Sequence, residues 1–241
     1  VGQYHRRGRD THQTRSSASD CTRMTSHSRQ VSSSQQGTHP RLPDLLARHR
    51  SRPWCEPLAT HNAVAIDVLR DRLRNDQRPL VLDAFCGTGH STRSLAERHP
   101  HCLVIGIDKS GHRLAKHQRA PDSDYLLLQG DCEPIWRFLA DSGHRLQAHY
   151  LLYPNPWPKP GQLQRRVHGH PAFPLLLTLG GRIEVRSNWQ LYVEEFGLAM
   201  SLSGRPGRVQ RVEAQSPLSL FERKYRDSGH ALWSFVCDSA M

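Results

Sequence analysis

The sequence predicts an α/β fold built on a mostly parallel, seven-stranded sheet with a C-terminal antiparallel strand. Two observations predict it. From Pro79 onward, short apolar runs alternate with helical stretches, and the first of these runs breaks into a glycine-rich turn. Such alternation is typical of βαβ units, which form a parallel sheet and bind ligands at the carboxyl ends of its strands. The functional residues are therefore expected just after each predicted strand.

Five apolar runs of strand length are the predicted parallel strands. They are Leu80 to Phe85, Leu103 to Ile107, Tyr125 to Leu128, His149 to Tyr153 and Arg182 to Val185. A helix is predicted after the fifth run, over Asn188 to Met200. Two later runs, Arg208 to Val212 and Ala231 to Cys237, are predicted to close the sheet as a pair.

Residues 1–40, which precede the sheet, consist largely of Ser, Thr, Gln, His and Arg. Few large apolar side chains are present to offset the entropy of ordering, so this stretch is predicted to be a disordered basic and polar tail. Met24 within it is a candidate translation start. Residues 41–78 are predicted to be a helical segment, with amphipathic helices over Arg41 to Arg50 and Pro57 to Leu73.

The 241-residue chain is strongly basic, with 33 Lys and Arg residues against 22 Asp and Glu residues and a formal net charge of +11. This excess favours a polyanionic partner, because each neutralised phosphate releases counterions. No apolar run approaches the roughly 18 residues of a membrane span, which predicts a cytoplasmic protein without a membrane partner. The six cysteines include no Cys-x-x-Cys pair and the sixteen histidines show no metal-ligand spacing, so no metal site is predicted.

The first predicted strand carries Asp83 and is followed by the turn Cys86-Gly87-Thr88-Gly89. The glycines of this turn, Gly87 and Gly89, allow the backbone to approach a ligand closely, and the helix that follows presents free N–H groups. A dinucleotide-binding turn has a third glycine where this chain has Thr92, so the turn is not suited to binding a pyrophosphate. The carboxylate of Asp83 instead suits a cofactor that carries an ammonium group and no phosphate.

Acidic residues also follow the second and third predicted strands. Asp108 lies at the position where a carboxylate accepts hydrogen bonds from ribose hydroxyls, although an Asp there also caps ordinary helices. Asp131 lies at the same edge of the sheet, after the third strand. Together with Asp83, these carboxylates predict a site for adenosine joined to a sulfonium.

The fourth predicted strand leads into a proline-rich loop, Tyr153-Pro154-Asn155-Pro156-Trp157-Pro158-Lys159. Its three prolines fix an extended, rigid backbone that fits neither a helix nor a strand. Such a loop holds a polar group against a flat base at little entropic cost. Arg165 and Arg166 behind it are candidate phosphate contacts or the start of a solvated basic helix. Near the C-terminus, Ser219 and Glu222 are predicted to turn toward the same edge of the sheet.

Taken together, these motifs resemble the tRNA (guanine-N7) methyltransferase family. The resemblance covers about Leu80 to the end, and its most specific element is the proline-tryptophan loop. The matching stretches are Leu82-Asp83-Ala84-Phe85-Cys86-Gly87-Thr88-Gly89, Gly106-Ile107-Asp108, Pro154-Asn155-Pro156-Trp157-Pro158-Lys159, Ser187-Asn188-Trp189, Ser219-Leu220-Phe221-Glu222-Arg223 and Gly229-His230. The resemblance implies a Rossmann-like class I S-adenosylmethionine-dependent methyltransferase fold over residues 79–241, and tRNA or another structured RNA as the partner.

The resemblance also implies roles for single residues, and the chain is expected to act as a monomer or a homodimer. The residues implied to hold S-adenosylmethionine are Asp83, Gly87, Gly89, Asp108 and Asp131. Those implied to meet the substrate are Asn155, Lys159, Asn188, Ser219 and Glu222. Among the latter, Asn155 and Lys159 are the expected catalytic residues.

Two departures from the family pattern concern the substrate side. Asn155 and Asn188 stand where the family usually has Asp, and the cluster of Lys, Arg and His after Lys159 is thinned. Guanine N7 offers a lone pair without losing a proton, so the reaction needs positioning more than a general base. A neutral amide still positions the base but does not offset the positive charge of the methylated ring. We therefore expect a slower enzyme or an altered target.

Two other functions remain open at the level of sequence. The stretch Asn155-Pro156-Trp157 is similar to the Asn-Pro-Pro-aromatic loop of amino methyltransferases, in which asparagine accepts a hydrogen bond from an exocyclic NH₂ group. The missing second proline argues against this interpretation. A third interpretation is a non-catalytic RNA-binding paralogue that keeps the cofactor fold.

Overall fold

The computed structural model describes residues 28–119, 123–213 and 215–238. Its centre is one sheet of seven strands. The strands are β1 (Leu80–Ala84), β2 (Leu103–Asp108), β3 (Tyr125–Gln129), β4 (Leu146–Leu152), β5 (Arg182–Ser187), β6 (Arg208–Arg211) and β7 (Trp233–Cys237). All seven predicted strands are therefore present, with ends that differ from the prediction by a few residues.

The strand order across the sheet is β3-β2-β1-β4-β5-β7-β6. The first five strands of the chain pair in parallel, with β1 between β2 and β4. Only β7 runs the other way, between β5 and β6. This is the Rossmann-like class I S-adenosylmethionine-dependent methyltransferase fold that the sequence predicts. The carboxyl ends of β1, β2, β3, β4 and β5 consequently meet at one edge of the sheet.

Eight α-helices cover the two faces of the sheet within the described ranges. They are α1 (Leu42–Ser51), α2 (Thr60–Asn75), α3 (His90–Arg98), α4 (Gly111–Leu114), α5 (Cys132–Asp141), α6 (Phe173–Leu179), α7 (Gln190–Leu202) and α8 (Leu220–Asp227). Two short 3-10 helices, Pro160–Arg165 and Val167–Gly169, follow the proline-rich loop. None of the helices in this part of the chain is both long and apolar enough to cross a membrane.

Successive residues of β1 point to opposite faces of the sheet, so both faces carry an apolar core. Leu80 and Leu82 belong to the larger cluster, which also includes Leu69 of α2 and Trp136 of α5. Val81 belongs to a second cluster on the other face. Because α1 and α2 pack in the larger cluster, the predicted segment 41–78 shares the core of the sheet.

The structure differs from the predicted tail at residues 28–40. The hydroxyl of Ser33 donates a hydrogen bond to the carbonyl of Pro158. The side chain of Gln35 and the backbone N–H of His39 each donate to Oε2 of the buried Glu195, at 2.7 Å. A buried carboxylate needs such donors, and they order a stretch that has little apolar surface of its own. Residues 1–27, including the candidate start Met24, lie outside the described residues.

Candidate active site

The glycine turn begins at the end of β1, on top of a buried carboxylate. Asp83 is fully buried, and its Oδ2 accepts hydrogen bonds from the hydroxyls of Ser91 (2.6 Å) and Thr92 (2.7 Å) in α3. Thr92, where a dinucleotide-binding turn has glycine, therefore ties the following helix to the strand. An added Cβ at Gly106 of β2 would lie 2.2 Å from the Thr92 hydroxyl, so only glycine admits this close packing.

The pKa of Asp83 is raised to about 6, mainly by burial and also by the charge of Asp108, while the two hydroxyl hydrogen bonds oppose the shift. The other carboxylate oxygen, Oδ1, has no hydrogen-bond partner among the described residues. With no surface exposed, Asp83 lies beneath the turn and does not reach the cavity directly. Its role in holding the cofactor stays a prediction.

Asp108 holds the turn from the end of β2. Its Oδ2 accepts a hydrogen bond from the backbone N–H of Gly87 at 2.9 Å, and its Oδ1 accepts one from the N–H of Ser110 at 2.8 Å. Arg113 forms an ion pair with the same Oδ1 at 3.0 Å. Gly87 and Gly89 have φ angles of 63° and 74°, which glycine adopts without strain.

Asp131 follows β3 and is bound by residues of α2. Its Oδ2 lies 3.0 Å from Nε2 of His61 and accepts a hydrogen bond from the amide of Asn62 at 3.1 Å. The backbone N–H of Asp131 donates to Oδ1 of Asn62 at 2.8 Å. Burial raises the pKa of Asp131, but the hydrogen bonds from His61 and Asn62 outweigh it, so its pKa lies below the usual value.

A large cavity of about 760 Å³ opens at this edge of the sheet. Four of the predicted cofactor and substrate residues line it together: Asp108, Asp131, Asn155 and Asn188. A smaller cavity of about 180 Å³ adjoins it and is lined by Gly87 and Ser219, among others. Three side chains line both cavities and separate them, namely Phe85, Arg113 and Phe221. The two cavities are thus the halves of one cleft.

A buried arginine holds the proline-tryptophan loop. The guanidinium of Arg166 is fully buried and donates a hydrogen bond from Nε to the carbonyl of Trp157 at 3.1 Å. It forms an ion pair with Glu195 of α7 and lies over the ring of Trp189 at 5.1 Å. The prediction that Arg166 contacts phosphate is therefore wrong, because its charge is neutralised inside the protein. Only Arg165 remains exposed, 4.9 Å over the ring of Trp157.

Glu195 is the centre of this buried network. Besides Arg166, its carboxylate contacts Nε2 of His168 at 2.7 Å and the donors from residues 35 and 39. Burial raises the pKa of Glu195, but the bonds and charges of His168 and Arg166 outweigh it and lower the pKa to about 2. The loop, α7 and the segment before α1 are therefore fixed to one charged group.

Three other predicted residues lie away from the larger cavity. Lys159 is exposed at the start of the 3-10 helix Pro160–Arg165, but its side chain does not line that cavity. Glu222 is fully buried, and its Oε1 accepts a hydrogen bond from Arg186 at 2.7 Å. The Ser219 hydroxyl accepts a hydrogen bond from the N–H of Glu222 at 3.1 Å and caps α8. Glu222 therefore pairs with a neighbouring strand and does not face the cavity.

Aromatic residues shape the cleft, and two of them, Phe85 and Tyr153, were not predicted as site residues. Phe85 directly follows β1 and Tyr153 directly follows β4, and both have a positive φ, at 62° and 56°. Trp157 also has a positive φ, at 45°. All three line the large cavity. Such backbone conformations are rare for aromatic residues and concentrate at functional sites, but no sequence signal marks them.

The donors and acceptors of the cleft fit S-adenosylmethionine. Asp108 and Asp131 offer carboxylate oxygens to the ribose and the adenine. An added Cβ at Gly87 would meet nothing within 4 Å, so the turn is open toward the small cavity, where an amino-acid group can lie. The Oδ1 of Asp83, which has no hydrogen-bond partner among the described residues, lies buried below the turn and does not reach the cavity.

Known proteins share both the sequence and the fold. A family described as "Putative methyltransferase" matches residues 77–234. A tRNA (guanine-N(7)-)-methyltransferase of Treponema pallidum is 27% identical over 165 residues, which span 64% of each protein. One of Sodalis glossinidius is 30% identical over 173 residues, or 66% of this chain and 71% of that protein. The match thus spans about two thirds of the length of these relatives.

Two solved structures share the fold alone. An antibiotic-related methyltransferase has a TM-score of 0.53 at 15% identity, covering 76% of this chain and 96% of its own. The 16S rRNA methyltransferase KamB has a TM-score of 0.51 at 16% identity, covering 78% and 97%. The family is shown instead by the match over residues 77–234 and by the 30% identical relative from Sodalis glossinidius. The chain belongs to the tRNA (guanine-N7) methyltransferase family, as its motifs predicted.

Proposed function

We propose that the chain transfers a methyl group from S-adenosylmethionine to N7 of a guanine in tRNA. The observation that carries the proposal is the shared cavity. Asp108 and Asp131, which suit the cofactor, line the same space as Asn155, Trp157 and Asn188, which suit a base. A donor and an acceptor bound in these two parts would lie against each other, as a direct transfer requires.

S-adenosylmethionine supplies an electrophilic methyl group on a sulfonium. The work left to the protein is to orient the base, since guanine N7 needs no proton removed before it attacks. Trp157, backed by Arg165 at 4.9 Å, offers a flat surface on which a base can stack. Asn155 and Asn188 offer amide groups at the same cavity, and the amide of Asn188 is fixed by His230 at 3.0 Å.

Lys159 is assigned to the RNA around the base, because its ammonium is exposed beside the loop and outside the cavity lining. Ser219 and the small cavity are assigned to the cofactor side of the cleft. Glu222 acts indirectly in this proposal, since its carboxylate neutralises Arg186 and its backbone N–H donates to Ser219, which caps α8. We expect the activity in the cytoplasm, from a monomer or a homodimer.

The test is methyl transfer from radiolabelled S-adenosylmethionine to tRNA purified from cells that lack this protein, followed by nucleoside mass spectrometry. Labelled 7-methylguanosine supports the proposal. A matched reaction with an Asp108→Asn variant controls for contaminating enzymes, because that variant loses a carboxylate of the cofactor side. If the protein binds S-adenosylmethionine in a separate titration but labels no tRNA, the proposal is wrong and a non-catalytic RNA-binding role takes its place.

A second candidate is methylation of another base or of an exocyclic amine. The observation that favours it is Asn155 itself, a neutral amide at the cavity whose oxygen is an acceptor for an NH₂ group. Its only hydrogen bond in the described part of the chain is a weak one of 3.4 Å from the N–H of Trp157. Label in a nucleoside other than 7-methylguanosine would favour this candidate.

A further inference from the structure

Another cavity, lined by basic residues, lies beside the proposed active site, between α1 and the 3-10 helix Pro160–Arg165. Its volume is about 390 Å³, and its lining includes Arg41, Arg48, Gly161 and Gln164. We propose that this cavity binds the phosphodiester backbone of the RNA, outside the nucleotide that is methylated. The inference rests on the proposed function for the identity of the polyanion.

The positive charges of this cavity follow from the amphipathic pattern of α1. Leu42, Leu45 and His49 are buried against the domain. Arg41, just before the helix, and Arg48 lie on the exposed side. A separation of seven residues places them two turns apart on one helix face, about 10 Å along the axis. The sequence thus sets two guanidinium groups in line along one wall of the cavity.

These two arginines are unpaired, whereas those of α2 are not. Among the residues that the structure describes, the side chains of Arg41 and Arg48 make no hydrogen bond or ion pair. In α2, Arg70 pairs with Asp67, Arg72 with Asp76 and Asp124, and Arg74 with Asp71. A cation with a carboxylate partner is largely neutralised, while one without remains available to phosphate.

The basic cavity is continuous with the proposed active site. Gln164 lines both cavities, so the 3-10 helix Pro160–Arg165 is their common wall. Arg165, on the same short helix, faces the larger cavity beside Trp157. A strand whose base enters the larger cavity would therefore pass a series of cations as it leaves over Gln164 toward Arg48. That arrangement favours a nucleic acid over an isolated anion.

The wall that carries these charges is rigid. The ring of His49 lies 3.1 Å from the carbonyl of Gly169, which fixes α1 to the second 3-10 helix. An added Cβ at Gly169 would lie 2.1 Å from the carbonyl of Leu163, so only glycine allows the two short helices to pack this closely. The backbone that carries the cations consequently needs no reordering on binding.

One carboxylate opposes the proposed site. Asp44 lines the cavity between Arg41 and Arg48, is exposed, and forms no ion pair within the described ranges. Its charge repels a phosphate, so its removal is expected to strengthen RNA binding. Replacing Asp44 should therefore change RNA affinity in the opposite direction to replacing the arginines of the same cavity.

The experiment measures the affinity of the full-length protein for tRNA as a function of salt concentration. We expect Arg41→Gln with Arg48→Gln to weaken binding roughly tenfold and to make the slope of log K against log salt shallower by about 2. Asp44→Asn is expected to tighten binding about two- to threefold. The matched control, Arg70→Gln with Arg74→Gln, removes the same net charge from α2 and is expected to change affinity less than about twofold.

The outcomes separate this inference from the proposed function. If the α1 double variant keeps the wild-type salt slope, or only matches the α2 control, the inference is overturned even when tRNA is methylated. If the wild type methylates nothing but the α1 variants shift the slope as expected, the inference stands and the proposed reaction falls. Unchanged methylation by the α1 variant at saturating tRNA, together with weaker binding, supports both. Thermal melting of each variant confirms that the exposed substitutions leave the fold intact.

Discussion

The two halves of the cleft are held by groups of opposite charge. On the cofactor side, anions accept hydrogen bonds: Asp108 binds the N–H of Gly87, and Asp83 binds hydroxyls of α3. On the substrate side, a cation donates: Arg166 binds the carbonyl of Trp157. The pairings at Gly87 and Trp157 follow from the backbone group to be held, since a turn at a helix start presents N–H groups and this part of the loop presents a carbonyl.

The two halves also differ in whether the residues that hold the backbone line the cavity. Asp108 both holds the turn and lines the cavity, so under the proposed function one carboxylate serves both the structure and the cofactor. Arg166 and Glu195 are fully buried behind the loop, so they position Trp157 without touching the cavity. Substitutions on the cofactor side should therefore change ligand affinity, whereas those in the buried network should change stability and the shape of the loop.

The largest expected effect comes from breaking the buried network. Glu195→Gln removes the charge that neutralises Arg166, and leaving a buried cation without a partner costs about 3 to 5 kcal/mol of the free energy of unfolding. Chemical denaturation measures the loss. The neighbouring Glu194→Gln is the matched control, because Glu194 is exposed and bonds only to Gln190 within the described chain. Equal stabilities of the two variants would show that the network does not hold the loop.

The second-largest expected effect is a loss of affinity for S-adenosylmethionine. Asp108→Asn keeps one acceptor oxygen for the N–H of Gly87 but removes the carboxylate charge from the cavity. We expect a roughly 30-fold loss in affinity for S-adenosylmethionine, on the order of 2 kcal/mol, with a much smaller change in stability. Isothermal titration measures the affinity, with Asp141→Asn on the exposed surface of α5 as the control. A variant that binds as tightly as the wild type would remove Asp108 from the cofactor side.

Much of the cofactor side was predictable because its chemistry lies within short stretches of sequence. The alternation of apolar runs located the strands, and the residues after them, such as Asp108 and Asp131, had to meet at one edge of a parallel sheet. The fate of Arg166 was not predictable, since its partner Glu195 lies 29 residues further along the chain. A basic residue next to an exposed one gives no local sign that it is buried.

Two further features were not predicted from the sequence, because they also depend on contacts between residues that are distant along the chain. Asn62, which binds Asp131, lies 69 residues before it, and only the packing of α2 brings them together. Residues 33–39 lack apolar side chains, and composition alone therefore predicted disorder. Their order depends on hydrogen bonds to Pro158 and Glu195, which are distant in sequence. Local patterns predict elements and their ends, whereas long-range polar pairs require the folded structure.

A smaller expected effect is the pH dependence of the stability that Asp83 contributes. Its folded-state pKa of about 6 exceeds the value of about 3.9 for an unfolded chain, so the native state binds the proton more tightly. The stability that Asp83 contributes is therefore present at low pH and is lost as the pH rises through 6. The free energy of unfolding of the wild type, minus that of Asp83→Asn, should fall by on the order of 2 kcal/mol between pH 4 and pH 7.

Denaturation at several pH values measures this difference, in which the contributions of other titrating groups cancel. The variant Ser91→Ala tests whether the hydroxyls of α3 set the pKa of Asp83. It removes a hydrogen bond to the carboxylate, which favours the charged form, and should move the transition to higher pH. A difference that stays flat or rises with pH would mean that the hydroxyls of α3 fully compensate the burial of Asp83.

The smallest expected effect tests the neutral amides of the substrate side. Asn155→Asp with Asn188→Asp places two carboxylates at the large cavity, where they would offset the positive charge that develops on a methylated guanine. We expect the methylation rate at saturating tRNA and S-adenosylmethionine to rise about tenfold, which corresponds to roughly 1.4 kcal/mol. Single-turnover kinetics measure this rate apart from product release.

Asn75→Asp is the matched control for that pair, since it adds a negative charge at the exposed end of α2, away from the cavity. It should leave the rate unchanged. If the double variant also leaves the rate unchanged, positioning alone limits the reaction and the charge of the loop does not matter. A rate that falls would instead show that the amides donate hydrogen bonds to the base, because a carboxylate accepts hydrogen bonds but cannot donate them.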